Sequence, residues 1–496
     1  MPIHVCLTRI VSQETPNLIT FGATEYMDGA LTLPVLRELL LRGTPSRGRG
    51  QPTRGRGLIL EDVNGSEAED MARRRECKEL EAVDLTGCVS PVFVNALSIF
   101  VDTHMRPTAS ESDLSEEEDV HSHRRGRSAR LRLTEEPVTF PGLQRLSMRG
   151  TKSIPPHILH SFVIAFPSLT HLDLSSTRAG PDILDELASS PTIRLQSLAL
   201  ARCVRLTGSS IRNFLISAPA ARCIKELNLY GDNTFPNPMS PDEFHDVFTM
   251  APSFTSGELV YLDISSAPVD QELLDKMPAQ AKLRSLGLSY IPNLPLQAVS
   301  KFLLNKAQQV EVLTLVGTSP ELVRVQPRQA SVLLHSQIIR SLCTPPFQSG
   351  LTSPPNTPPP PAQPPTHLRV IELATSLLTA LGCGAGTWRI VRSKGGRGWY
   401  VDTASGWVAG SGGTTLRRDL AKEHPWRRAL ESLADANGNV NSGVGWHARK
   451  MEVSAYLVES FTRAAAETAH PQVLHGHGLL GREDGLYGAV SFAYQG

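Results

Sequence analysis

The sequence predicts an α/β solenoid, a curved stack of short parallel strands with helices on the convex side, and three observations predict it. First, the pattern L-x-x-L-x-L recurs as Leu36/Leu39/Leu41, Leu80/Val83/Leu85, Leu143/Leu146/Met148, Leu169/Leu172/Leu174 and Leu195/Leu198/Leu200. It continues as Ile224/Leu227/Leu229, Leu259/Leu262/Ile264, Leu283/Leu286/Leu288, Val310/Leu313/Leu315 and Leu368/Ile371/Leu373, and a weaker copy, Leu18/Phe21, precedes them all. Second, the copies between Leu143 and Val310 follow one another at intervals of 24 to 35 residues, the period of a strand-plus-helix repeat. Third, helix start signals fall between the copies.

Within each copy the last two apolar residues alternate, as a short strand with one buried face demands. The residues that follow must bring the chain back to begin the next strand. Gly180-Pro181-Asp182-Ile183 begins such a return, with proline where a first helical turn tolerates it and an acid where the helix dipole favours it. Ser240-Pro241-Asp242-Glu243 repeats the signal, with serine as the N-cap. One unit of this size cannot bury its apolar face alone, so successive units stack.

Two residues after the last apolar residue of most copies comes a glycine or serine, followed by Thr, Cys or Asp. Examples are Gly43-Thr44, Gly87-Cys88, Gly150-Thr151, Ser176-Thr177, Gly231-Asp232 and Gly317-Thr318, while Arg202-Cys203 keeps only the second half. This slot turns the chain inward, where a compact side chain satisfies backbone groups. Over about residues 18 to 376 the sequence resembles the ribonuclease-inhibitor-like leucine-rich repeats. Leu198-Ala-Leu-Ala-Arg-Cys203-Val-Arg-Leu-Thr-Gly-Ser-Ser-Ile211 is similar to their cysteine-containing subclass, common in F-box substrate receptors of cullin ubiquitin ligases. The resemblance implies a protein-binding horseshoe and, as partners, cullin ligase components. Met1 to Ala30 shows no F-box helices and reads as the tail of a repeat.

Three intervals are too long and each holds a biased tract, so residues 1–376 are expected to form the solenoid with unstructured insertions at about 45–75, 103–135 and 344–366. Arg47, Arg49, Arg54 and Arg56 lie in Arg-Gly pairs, Glu111 to Asp119 is acidic, Arg124 to Arg132 is basic, and Pro345 to Pro365 is proline-rich. None buries enough apolar surface to offset its ordering entropy. After Ser376 the composition changes. All five tryptophans (388, 399, 407, 426 and 446) lie there beside a glycine-rich stretch. Trp388 to Arg392 and Trp399 to Asp402 read as a hairpin, and 425–436 and 448–469 as helices. Residues 377–496 are therefore expected to be a C-terminal α+β cap or small appended domain.

The charge arithmetic excludes a generally basic nucleic-acid binder, since Lys plus Arg and Asp plus Glu both number 49. No apolar run reaches the ~18 residues of a membrane helix. Seven scattered cysteines do not form a disulfide framework, which points to an intracellular, cytoplasmic or nuclear chain. Gly382-Cys-Gly-Ala-Gly386 reads as a connector and not a dinucleotide site, His475 and His477 lack partners at zinc spacing, and Cys88 and Cys203 fill the inward slot. No cofactor, metal or catalytic residue is expected.

What remains is the concave face. Residues flanking the buried leucines are expected to face solvent and align from repeat to repeat. They include Glu38, Leu40 and Arg42; Arg145 and Arg149; His171 and Asp173; Glu226, Asn228 and Tyr230; and Tyr261 and Asp263. Tyr230 and Tyr261, with charges at their edge, are the hot-spot residues of the expected partner surface, which comprises Arg145, Arg149, His171, Asp173, Glu226, Asn228, Tyr230, Tyr261 and Asp263. The function expected is a non-enzymatic adaptor, and the alternative an enzyme or ligand-binding module in the C-terminal segment.

Overall fold

A computed structural model describes residues 7–18, 20–23, 27–43, 46–47, 65–105, 138–345, 363–392, 397–405, 407–409 and 416–418. Most of the Arg-Gly and proline-rich tracts, both charged tracts, the expected helices over 425–436 and 448–469, and His475 and His477 lie outside the described residues.

One sheet organises the chain. Its parallel strands are β1 (Thr20–Gly22), β2 (Ala82–Asp84), β3 (Arg145–Ser147), β4 (His171–Asp173) and β5 (Ser197–Ala199). They continue as β6 (Glu226–Asn228), β7 (Tyr261–Asp263), β8 (Ser285–Gly287), β9 (Val312–Thr314) and β10 (Val370–Ala374). Each pairs with the next in sequence, and a hairpin of β11 (Trp388–Arg392) and β12 (Arg397–Asp402) adds antiparallel to β10 through β12. Among the described residues the sheet therefore has twelve strands. Its register puts Leu146, Leu172, Leu198, Leu227, Leu262, Leu286, Leu313 and Ile371 side by side. All eight are buried, so one leucine-type rung per repeat forms the continuous core of a leucine-rich repeat solenoid, each worth about 1.5–3 kcal/mol on burial.

Helices return the chain between strands as the start signals predict. Pro181–Ser189 begins on Gly180 with Pro181 in its first turn, and Pro241–Met250 begins on a capping box in which Ser240 and Glu243 satisfy each other's backbone N–H. Their buried faces, Ile183, Leu184 and Leu187 in the first and Phe244, Val247 and Phe248 in the second, close the core from outside.

Three expectations change. Leu36, Leu39 and Leu41 do not form a strand: Leu33–Leu40 is a helix with Pro34 in its first turn. Leucines three apart suit a helix as well as a strand, and the strand of this repeat is the weaker copy, at β1. Glu38, Leu40 and Arg42 thus leave the concave set, and buried Glu38 instead accepts from Arg73 at 2.9 Å and from Arg74 at 2.6 and 2.8 Å. Those arginines sit on a second helix, Gly65–Glu76, inside the stretch expected to be unstructured. The hairpin expected over Trp388 to Asp402 is present, and it adds to the edge of the solenoid's own sheet. Gly382, Gly384 and Gly386, all at positive φ, connect the helix Thr375–Leu381 to β11.

Curvature follows from one contact. Tyr230 and Arg397 lie in the same cross-strand row, separated by five strand spacings, roughly 24 Å on a flat sheet. The Arg397 Nη2 is nevertheless 3.5 Å from the Tyr230 Oη and 2.6 Å from the Tyr290 Oη. Only strong bending toward this face permits both.

Candidate functional site

Each repeat must leave its strand and turn toward its helix, and in the seven turns after β2, β3, β4, β5, β7, β8 and β9 one residue sits in the left-handed region. Gly87, Gly150, Ser176, Ser266 and Gly317 occupy it with φ between 58° and 77°. The next residue points inward: Thr151 and Thr177 donate to the carbonyls of Met148 and Leu174 at 2.6 Å, and the Cys203 thiol donates to the Leu174 carbonyl at 3.0 Å. Burial pushes that thiol up to about 12, which keeps it protonated and makes it a packing group.

Arg202 (φ 56°) and Tyr290 (φ 58°) take the left-handed position with large side chains, at roughly 1–2 kcal/mol each. Ser176 and Ser266 carry the same backbone strain with small side chains, so Arg202 and Tyr290 stand apart by their size and by what they reach. Both converge on Tyr230. The Arg202 guanidinium lies 5.7 Å from the Tyr230 ring centre and 5.8 Å from that of Phe235, and it forms a buried ion pair with Asp232. Tyr290 meets Tyr230 edge-on at 6.4 Å and accepts from Arg397, which also donates to Glu372 at 3.1 Å. Burial raises the Tyr230 pKa above the ordinary phenol value, so Tyr230 stays neutral.

The loop after β6 is the longest in the uninterrupted middle of the array, and it is internally braced. The Asp232 carboxylate accepts from the backbone N–H of Thr234 at 2.7 Å and of Phe235 at 2.8 Å, while Asn237 donates to the Leu229 carbonyl at 2.7 Å. Gly231 is required, because a Cβ there would meet the Asn237 nitrogen at 2.6 Å. Between this loop and the turn at Arg202 lies a cavity of about 200 Å³, lined at its base by Leu200, Leu206, Ile211 and Leu229. Val204 and Phe235 also line it, and they are 65% and 41% exposed.

The concave set behaves differently from expectation. Arg145 and His171 are half-buried, while Arg149, Asp173, Glu226, Asn228, Tyr230, Tyr261 and Asp263 are buried, the two tyrosines only 1% exposed. Four positions have a structural task that explains their residue type. Asp84, Asp173, Asn228 and Asp263 each accept, at 2.9–3.0 Å, from the backbone N–H two residues on, where the strand ends. Burial raises the pKa values of Asp173 and Asp263 and lowers that of Arg149. Tyr261 donates to Asp263 at 3.2 Å and joins Val312, Val370, Val391, Trp399 and Val401 in a second apolar cluster. Trp399 is therefore a packing residue of the inner face. Arg202, Val204, Phe235, Tyr290 and Arg397 were not singled out as site residues from sequence; the 35-residue interval from Ile224 to Leu259 was the only trace of the braced loop.

Among the described residues no group of three or more His, Cys, Asp or Glu side chains is placed to hold a metal ion, and no helix is long and apolar enough to cross a membrane. The sequence matches no family profile and no curated protein. Among solved structures, the chain is similar to a leucine-rich repeat-containing protein of Legionella pneumophila at 20% identity and a TM-score of 0.26, over 39% of this chain and 61% of that one. It is similar to an internalin of Listeria monocytogenes at 13% identity and a TM-score of 0.20, over 36% of this chain and 47% of that one. The chain thus spans less than two thirds of the length of either.

Proposed function

We propose that the protein is a non-enzymatic interaction scaffold that holds a protein partner at the end of its strands, with Arg145 and His171 as the accessible part of the inner face. One observation carries this reading: a braced loop presents exposed Phe235 beside exposed Val204 over a cavity with an apolar base. Rigid apolar side chains at the edge of a cavity give binding energy at little entropic cost. Tyr230, almost wholly buried, lines the cavity from beneath, while Tyr261 packs in the apolar cluster of the inner face. The narrower role, a substrate receptor with cullin ligase components among its partners, rests on the resemblance of the repeats to the cysteine-containing subclass.

Affinity purification with quantitative mass spectrometry tests both levels. The parent should retain specific proteins that a Val204→Asp/Phe235→Asp variant, folded by circular dichroism, loses. Equal recovery by both would remove the rim from the site. Recovery of a cullin adaptor would support the narrower role, and specific partners without one would remove it.

A further inference from the structure

The residue after the inward slot repeats along the rim as Lys152, Arg178 and Val204, one per strand from β3 to β5, at roughly 5 Å spacing. Arg205 follows Val204 directly. Lys152, Arg178 and Arg205 are all exposed, and none forms an ion pair among the described residues. A short basic row therefore leads to the cavity between Val204 and Phe235. At about 200 Å³ the cavity exceeds the ~150 Å³ apolar cavity known to take a benzene ring, so one bulky apolar side chain fits it. Among the described residues no Asp or Glu lines this cavity, and the loop's Asp232 is already matched by Arg202.

We propose that this rim docks an extended acidic segment of a partner protein, with one bulky apolar side chain in the cavity and carboxylates along Arg178 and Lys152. The proposal deepens the scaffold reading and rests on it. In an extended chain, side chains on one face recur every ~7 Å. An acid two positions from the anchor thus falls between Arg178 and Lys152, roughly 5 and 10 Å from the Val204 position. Exposed charges of this kind set partner choice and association rate, while the apolar anchor supplies most of the affinity.

Fluorescence anisotropy with labelled peptides tests it. The probe is a nonapeptide with one central leucine among glutamates, compared with a lysine version and with alanine in place of leucine. The glutamate–leucine peptide should bind the full chain, more weakly as salt rises, with each control peptide weaker by roughly tenfold or more. Lys152→Glu/Arg178→Glu and Phe235→Ala should each reduce binding of the acidic peptide by about the same factor, with circular dichroism unchanged. Equal binding of the lysine peptide, unchanged affinity in the charge-reversed variant, or no binding at millimolar peptide overturns the proposal. So does displacement of the probe only by a peptide spanning residues 109–121 of this chain, which would assign the rim to a second copy. If affinity purification still recovers partners that depend on Val204 and Phe235 while the peptides fail, the scaffold reading stands and only the acidic segment falls.

Discussion

At Ser176 and Arg202 the chain makes the same left-handed turn one repeat apart, with φ of 58° and 56°, and the two side chains lead to different surroundings. Ser176 ends in a plain turn beside the exposed Arg178. Arg202 reaches Asp232, lies against Tyr230 and Phe235, and forms one wall of a cavity. The backbone of a repeat is thus set by its leucine rung and its turn, while the individuality of a repeat is carried by the one residue that the turn leaves free to be large. Tyr290 makes the same point three repeats later, where it links Tyr230 to Arg397.

The largest expected effect breaks the Tyr290 side of this comparison. Arg397→Leu leaves Glu372, 1% exposed, without its cation, and should destabilise the protein by about 3–5 kcal/mol. Adding Glu372→Leu should recover most of that loss. Urea unfolding of the two variants beside the parent measures both, and a double variant no more stable than the single one would show that the pair is not the clasp.

A smaller effect separates the two turns directly. Ser176→Gly relieves a left-handed residue and should stabilise by up to about 1 kcal/mol. The same change at Arg202 also strips buried Asp232 of its partner, and should destabilise by about 2 kcal/mol. If both variants shift the unfolding midpoint the same way, the Arg202 side chain has no structural task.

The smallest effect is in pH dependence. Burial raises the pKa of Asp263 in the folded chain, so between the ordinary carboxylate value and the raised one the folded state holds a proton that the unfolded state has lost. The contribution of this group to stability is therefore present below the ordinary value and declines as pH rises through the raised one. Asp263→Asn keeps an acceptor for the Ser265 N–H and removes the titration. Its stability relative to the parent should rise across that window, and parallel curves of urea midpoint against pH would contradict the assignment.

How much of this was legible in the sequence follows from the reach of each interaction. The rungs from Leu146 to Ile371 and the inward Thr and Cys slots recur at a fixed place in each repeat, and the repeated pattern displays them. Leu36, Leu39 and Leu41 misled because i, i+3 spacing serves a helix equally, and Pro34 was the better signal. Burial of the concave face was invisible because alternation reports which side a residue faces and says nothing of curvature. The contact that reveals the bend joins residues 167 positions apart. The apolar role of Trp399 and Tyr261 is hidden for the same reason, since their shared cluster spans β5 to β12. Phe235 escaped because a long repeat interval announces extra loop without saying that Asp232 and Asn237 brace it.

Repeat arrays ordinarily lengthen and shorten by duplication or loss of whole units, because each unit touches only its neighbours. The reach of Arg397 to Tyr290 and Tyr230 withdraws that freedom from part of this one. One more strand inserted between β6 and β10 would carry the guanidinium about 4.8 Å farther from Tyr230, and one fewer would drive the two together. The stretch from Glu226 to Ala374 therefore has a counted number of units: a repeat gained or lost there breaks the contact of Arg397 with Tyr230, whereas one gained or lost before β6 leaves it intact.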